Sequence, residues 1–148
     1  MKDGRLHAYE ILRRVARVRE VRASRALADA SAEERLCRMR CEHIATARDG
    51  LASARRVTSS DPSRLDMGRY EMLSRMDTAF AEQQHHASTE LAVAEKITQE
   101  QAERSVVAKR YCEKIDEHVT ELIVALDHKA SASALEEAIE MWVGSKSR

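Results

Sequence analysis

The sequence predicts an all-α protein in which two long helices form an antiparallel coiled-coil hairpin, the second helix being longer and carrying a C-terminal overhang. Three observations predict this fold. Among 148 residues, aromatic side chains make up 3% and charged side chains 34%, a composition typical of long helices. The chain has one proline and four glycines, with a single cluster of helix breakers. Apolar residues recur every seven positions on both sides of that cluster.

The first helix is expected to span about residues 3–58. Its seven-residue repeat consists mostly of small side chains: Tyr9, Ala16, Ala23, Ala30, Cys37, Ile44 and Leu51. The intervening apolar positions are fewer: Leu12, Ala26, Ala47 and Ala54. Alanines let two helices approach closely but bury little area in each layer. We therefore expect a thin seam along this helix.

The turn is predicted at about residues 59–67. The segment TSSDPSRLDMG, residues 58–68, holds the lone Pro62 together with Asp61, three serines and Gly68. Proline and glycine are the residues that most strongly interrupt helices, and aspartate and serine favour turns. Two long helices joined by so short a link normally fold back antiparallel.

The second helix is expected to span about residues 68–143. Its seven-residue series is apolar except at one position: Leu73, Phe80, Ala87, Ala94, Gln101, Ala108, Ile115 and Leu122. A second series, three residues further on, completes the predicted seam: Met76, Gln83, Glu90, Ile97, Arg104, Tyr111, His118 and Ala125. Alternating steps of three and four are the signature of a coiled-coil heptad.

Folding the chain near residue 62 predicts which residues face each other. The numbers of facing residues should add to about 125, which places Tyr9 near Asp116. Because the second helix outruns the first, the overhang leaves five large apolar residues without an intrachain partner: Leu126, Leu135, Ile139, Trp142 and Val143.

Charge is unevenly distributed along the chain. Residues 1–58 carry a net charge of +6 and residues 59–148 a net charge of −6. Residues 13–25, RRVARVREVRASR, hold six arginines and one glutamate. Three interpretations are open: a surface for an acidic protein partner, which we favour, a solvated helix face, or a nucleic-acid contact. A basic region like that of bZIP proteins would need a parallel dimer to bind DNA, whereas this helix is expected to pair within its own chain.

Several classes of function are not indicated. The longest apolar run, residues 122–126, is far shorter than the roughly 20 residues that span a bilayer, so we expect a soluble cytoplasmic protein without membrane insertion. The odd number of cysteines, three, predicts free thiols. Cys37 and Cys41 with nearby His43 lack the four convergent ligands of structural zinc. No catalytic motif or phosphate loop occurs, so we expect neither a cofactor nor an enzyme.

The opening of the second helix carries the most specific pattern, SRLDMGRYEMLSRMDTAFAEQQHH. Met72 and Ala79 lie beside the predicted seam and widen its apolar face beyond what a two-helix seam requires. With the basic first helix and the short link, this segment resembles the FliJ/YscO family, the coiled-coil stalk proteins of type III secretion and flagellar export ATPases. In that family the second helix opens with a large apolar residue followed by Leu, Ala and His at spacings of four, three and four. The matching residues here are Met72, Met76, Ala79 and Gln83, with glutamine replacing the histidine.

The resemblance implies a non-enzymatic component of a bacterial type III export machine. Family members insert into the hexameric ring of the export ATPase, link it to the cytoplasmic domain of the export gate, and in some cases bind export chaperones. By resemblance, the gate would contact Met72, Met76, Ala79 and Gln83. We further hypothesise that acidic loops of the ATPase contact Arg13, Arg14, Arg17 and Arg22. The alternatives are a generic structural coiled coil and a nucleic-acid-binding basic helix.

Overall fold

The computed structural model describes residues 4–147. Helix α1 spans Gly4–Ser59 and helix α2 spans Met67–Lys146, with a 3₁₀ turn at Pro62–Arg64 between them. The fold is therefore the predicted all-α two-helix hairpin with a longer second helix. The predicted start of the first helix, residue 3, lies outside the described residues.

Two aspartates define the link between the helices. The Asp61 carboxylate accepts hydrogen bonds from the Ser63 backbone N–H at 3.0 Å and from the Ser63 hydroxyl at 2.7 Å. These two bonds hold the pKa of Asp61 below its usual value. Asp66 caps α2, because its carboxylate accepts the Arg69 backbone N–H at 3.0 Å. Since the residue before a proline is disfavoured in helical conformation, Pro62 ends any continuation of α1.

The contacts divide the chain into two units. The turn unit comprises residues 24–103, and the terminal unit combines the chain up to Ala23 with the part of α2 that begins at Arg104. In the turn unit, the buried residues come from the predicted seven-residue series of both helices: Cys37, Leu51, Leu73, Ala87 and Ala94.

The terminal unit has its own apolar cluster. Ala16 is fully buried against Cys112, Ile115 and Val119. Leu6 and Tyr9 pack against this cluster from the start of α1. Small residues at the centre bring the two helices close, as the alanine-rich repeat predicts.

The second predicted series of α2 is wrong. Met76, Ile97 and Tyr111 are between 41% and 45% exposed. The other residues of that series are exposed as well. The seam instead uses positions four residues after the first series: Asp77, Gln84, Leu91, Thr98, Ser105, Cys112, Val119 and Leu126, all buried or half-buried. Polar pairing selects this side, because Arg48 of α1 forms hydrogen bonds with Asp77 at 3.0 Å and with Gln84 at 2.6 Å.

The pairing register also differs from the prediction. In the turn unit, the numbers of ion-paired residues add to 125 for Arg48–Asp77, 130 for Arg40–Glu90 and 133 for Arg38–Glu95, so two of these three pairs lie above the predicted sum. In the terminal unit, the partner of Asp116 is Arg13 rather than Tyr9. The middle of the link is residue 63, and side chains lean toward the N-terminus of their own helix. These two factors raise the expected sum to about 128, which is the direction in which Arg13–Asp116 and Arg40–Glu90 depart from the prediction.

The end of α2 extends beyond its partner helix. From residue 127 to residue 147, every residue is exposed. Of the residues predicted to lack a partner, Leu135, Ile139, Trp142 and Val143 are 55–64% exposed, whereas Leu126 is half-buried in the seam. In the part of the chain from residue 4 to residue 147, no helix combines the length and apolarity needed to cross a membrane.

Candidate partner-binding surfaces

The first candidate surface is the methionine face, formed by Met72, Met76, Ala79 and Gln83. All four residues are exposed, and the two methionines are 54% and 41% accessible. Steps of four, three and four place their side chains on one side of α2. The structure thus brings together the residues that the sequence singled out and leaves them open to solvent.

The methionine face includes a shallow groove. An open cavity of about 430 Å³ is lined by Gly68, Glu71, Met72, Arg75, Met76 and Ala79. Glu71 and Arg75 form an ion pair at 2.7 Å along its border. Gln83 lies beyond this groove, one turn further along α2. Flexible methionine side chains in a groove with a charged border suit contact with an apolar partner segment.

A polar cluster fixes the rotation of α2 beneath the methionine face. The Asp77 carboxylate forms ion pairs with two arginines of α1, Arg48 at 3.0 Å and Arg55 at 3.3 Å. The Arg48 hydrogen bond holds the pKa of the Asp77 carboxyl below its usual value and raises the pKa of Arg48. Because successive helix residues point about 100° apart, Met76 faces away from the seam when Asp77 faces α1.

Two arginines of the basic stretch, Arg13 and Arg17, lie near one carboxylate of α2, that of Asp116. Arg13 Nε lies 2.6 Å from Asp116 Oδ1, and Arg17 Nη2 lies 4.0 Å from the same oxygen. Arg14 and Arg22 are exposed, and within residues 4–147 neither forms an ion pair. Of the four arginines assigned to an ATPase contact, two therefore have an intrachain partner and two are available to another molecule.

The sequence did not reveal a groove beside Cys37. A cavity of about 420 Å³ is lined mainly by small and apolar residues of both helices: Ala30, Glu33, Cys37, Arg40, Thr89, Glu90, Val93, Ala94 and Ile97. The Arg40–Glu90 ion pair belongs to this lining. The available signal was that Ala30, Cys37 and Ala94, all small, recur in the two heptad series. Small seam residues leave space that a partner side chain could fill.

His118, Cys37 and Cys112 each lie against other side chains of the protein. His118, predicted in the seam, is 59% exposed and its ring centroid lies 6.2 Å from that of Tyr9. Burial raises the pKa values of the Cys37 and Cys112 thiols. Among the described residues, no group of three or more histidine, cysteine, aspartate or glutamate side chains could hold a metal ion.

These surroundings predict an order of thiol reactivity. Because the thiolate is the nucleophile, a raised pKa lowers its fraction at a given pH and slows alkylation of buried Cys37 and Cys112. Half-buried Cys41 should react first with iodoacetamide at pH 8, as mapped by peptide mass spectrometry. Raising the pH should accelerate the other two. Faster alkylation of Cys37 or Cys112 than of Cys41 would contradict the buried seam.

Comparisons of the chain with protein-family models, with curated proteins and with solved structures found no significant match.

Proposed function

We propose that the protein is a non-enzymatic cytoplasmic stalk or adaptor of a bacterial type III protein secretion apparatus. In this role it links the hexameric export ATPase to the cytoplasmic domain of the export gate, as members of the resembled family do, some of which also bind export chaperones. The observation that carries the proposal is the exposed methionine face at the start of α2. Its residues have the spacing of the gate-contacting positions of the family that the sequence resembles. Met72, Met76 and Ala79 are also similar in type, and Gln83 stands where the family has histidine.

The arrangement of the helices supports partner binding rather than internal packing as the role of this face. A two-helix seam needs only the residues that face the opposite helix, and Leu73 and Asp77 already occupy those positions. Met72 and Met76 add apolar surface outside the seam. Exposed apolar area of this kind is typical of interaction sites.

The N-terminal arginines support the ATPase contact. Arg14 and Arg22 carry charge that no intrachain carboxylate pairs with in the described part of the chain, so it can attract acidic loops. Such attraction mainly increases the association rate and orients the partner. The non-enzymatic part of the proposal rests on the absence of a catalytic motif in the sequence.

The ATPase contact can be tested by comparing two pairs of arginines. Arg14→Gln/Arg22→Gln should weaken binding to the purified ATPase hexamer without changing thermal stability. Arg13→Gln/Arg17→Gln should also lower stability, because Asp116 loses its partners. All four changes together should cost about 1–3 kcal/mol of binding free energy at low salt, since exposed ion pairs contribute about 0.2–1 kcal/mol each. The loss should shrink as salt rises, because the Debye length is about 10 Å at 0.1 M.

A matched control removes four exposed arginines elsewhere: Arg35, Arg56, Arg64 and Arg69. This variant has the same net charge as the test variant and should bind the ATPase normally. Equal losses of ATPase binding in both variants would mean that the effect comes from the change in net charge and not from these four positions. Unchanged ATPase binding together with lost, steeply salt-dependent DNA binding would favour the nucleic-acid function instead.

A further inference from the structure

The start of α1 presents a face that the hairpin leaves uncovered. We call it the basic outer face, and it comprises Ile11, Arg14, Val15, Val18, Val21 and Arg22. The other five residues each lie three, four or seven positions from Val18, which places all six on one side of the helix. This side lies about 200° around the helix from the fully buried Ala16. All six residues are exposed, and the four apolar ones are 41–63% exposed.

The basic outer face contains only arginine and β-branched apolar residues. Arg19 borders it, because this arginine follows Val15 by four positions. Arg14, Arg19 and Arg22 form no ion pair with any residue between 4 and 147. The one glutamate of the arginine stretch, Glu20, is half-buried on the opposite side of α1. The positive charge of this face is therefore not neutralised by its own helix.

α2 does not supply the missing negative charge either. The Arg13–Asp116 ion pair sets the arginine stretch beside residues 107–118 of α2, which contain three basic and three acidic residues. The carboxylate that precedes the face along the chain, that of Glu10, lies 4.0 Å from His7 Nδ1. The excess positive charge of this stretch therefore lies on the side of α1 that points away from α2.

We infer that the basic outer face binds the surface of an anionic lipid bilayer. Clusters of four to eight basic residues on an amphipathic helix are typical of binding to anionic headgroups, and residues 13–22 contain five arginines. Guanidinium groups bind phosphate oxygens through paired hydrogen bonds. The arginine side chains reach the headgroups, while the valine and isoleucine side chains enter the boundary between headgroups and acyl chains. The contact lies at the bilayer surface and needs no helix that crosses it.

Other acidic partners fit this face less well. A single-stranded nucleic acid binds through aromatic side chains that stack on its bases, and the face contains none. A DNA duplex would contact the arginines and leave four apolar side chains without a matching surface. A protein interface centres on large side chains held in pockets, whereas the apolar residues here are valine and isoleucine along about 16 Å of helix. A fluid headgroup layer accepts side chains of this size without a matching pocket.

Vesicle binding tests the inference with the purified chain alone, so the result does not depend on the proposed ATPase contact. Vesicles of equal parts phosphatidylglycerol and phosphatidylcholine should sediment with the chain, and vesicles of phosphatidylcholine alone should not. Arg14→Gln/Arg19→Gln/Arg22→Gln should weaken binding by roughly a hundredfold, because each basic residue near an anionic surface strengthens binding about fivefold. The matched control, Arg35→Gln/Arg64→Gln/Arg69→Gln, has the same net charge and should bind like the wild type.

The apolar residues of the face give a second test. Val15→Gln/Val18→Gln keeps every charge and should weaken vesicle binding by about tenfold, because two side chains lose their contact with the apolar layer. Val57→Gln/Val93→Gln, at positions that are 74% and 55% exposed in the turn unit, is the matched control and should bind normally. Circular dichroism should show the same helix content for every variant.

A fluorophore locates the side of the chain that meets the lipid. In a Cys41→Ala background, the environment-sensitive label NBD on Val18→Cys should shift its emission to the blue when anionic vesicles are added. The same label on Val57→Cys should not shift. A wild-type chain that fails to bind anionic vesicles at low salt would overturn the inference, and binding of polyglutamate instead would assign the face to an acidic protein. Wild-type binding by the valine variant, or equal losses from the two arginine triples, would also overturn it.

Discussion

Replacing Met72 and Met76 together by aspartate is expected to weaken binding of the export-gate cytoplasmic domain strongly. Interface hot spots cost at least about 2 kcal/mol each when they are truncated, so the double change should weaken binding by roughly a thousandfold. Helix content and thermal stability should stay close to the wild-type values, because both side chains are 41–54% exposed. Titration calorimetry with the purified gate domain measures the effect.

The chain offers a matched control for this experiment. Met39 and Met141 are also exposed, at 51% and 73%, and neither belongs to the methionine face. Met39→Asp/Met141→Asp introduces the same charge and removes the same side chains, yet should bind the gate domain normally. Equal weakening by the two double variants would assign the effect to charge alone and remove the methionine face from the proposed function.

The second large effect is expected at the apolar cluster of the terminal unit. Ile115 is 5% exposed and packs with Ala16, Cys112 and Val119. Ile115→Ala should lower the free energy of unfolding by about 2–4 kcal/mol, because it removes buried methyl groups and leaves a cavity. Val106→Ala, at a 48% exposed position of the same helix, should change stability by less than about 0.5 kcal/mol.

Urea unfolding followed by circular dichroism distinguishes these two variants. A loss for Ile115→Ala no larger than that for Val106→Ala would contradict the pairing of α1 with α2 in this unit.

The hairpin could be predicted from the sequence because its signals are local. Only one segment contains breakers, and Pro62 and Asp61 act through their own backbone geometry. The first heptad series was also predictable, since Leu73, Ala87 and Ala94 repeat at a spacing that only one side of a helix satisfies. These residues are buried in the structure.

The flank of the seam could not be predicted in the same way. Residues three and four positions after a heptad residue lie equally close to the stripe, on opposite sides. The sequence favoured Met76, Ile97 and Tyr111 because they are large and apolar. The structure places Asp77 inside because Arg48 and Arg55 meet it there, and that pairing joins residues far apart in the chain. Hydrophobicity is therefore a poor guide where a seam is held together by ion pairs.

The candidate sites also differ in how far the sequence could predict them. The methionine face was predictable because its four residues lie within twelve positions of one helix. The Cys37 groove was not, since it depends on small side chains from both helices meeting at one level. Which arginines pair with Asp116 also depends on the register of the two helices, which differs by about one helical turn from the prediction.

Methionine oxidation footprinting tests the central claim most directly. Met39, Met67, Met72, Met76 and Met141 are all exposed, so each should oxidise in the free protein and serve as a reporter of its own surface. Addition of the export-gate cytoplasmic domain should protect Met72 and Met76 while Met39 and Met141 stay fully reactive. Unchanged oxidation of Met72 and Met76 in the presence of saturating gate domain would contradict the proposed role of the methionine face.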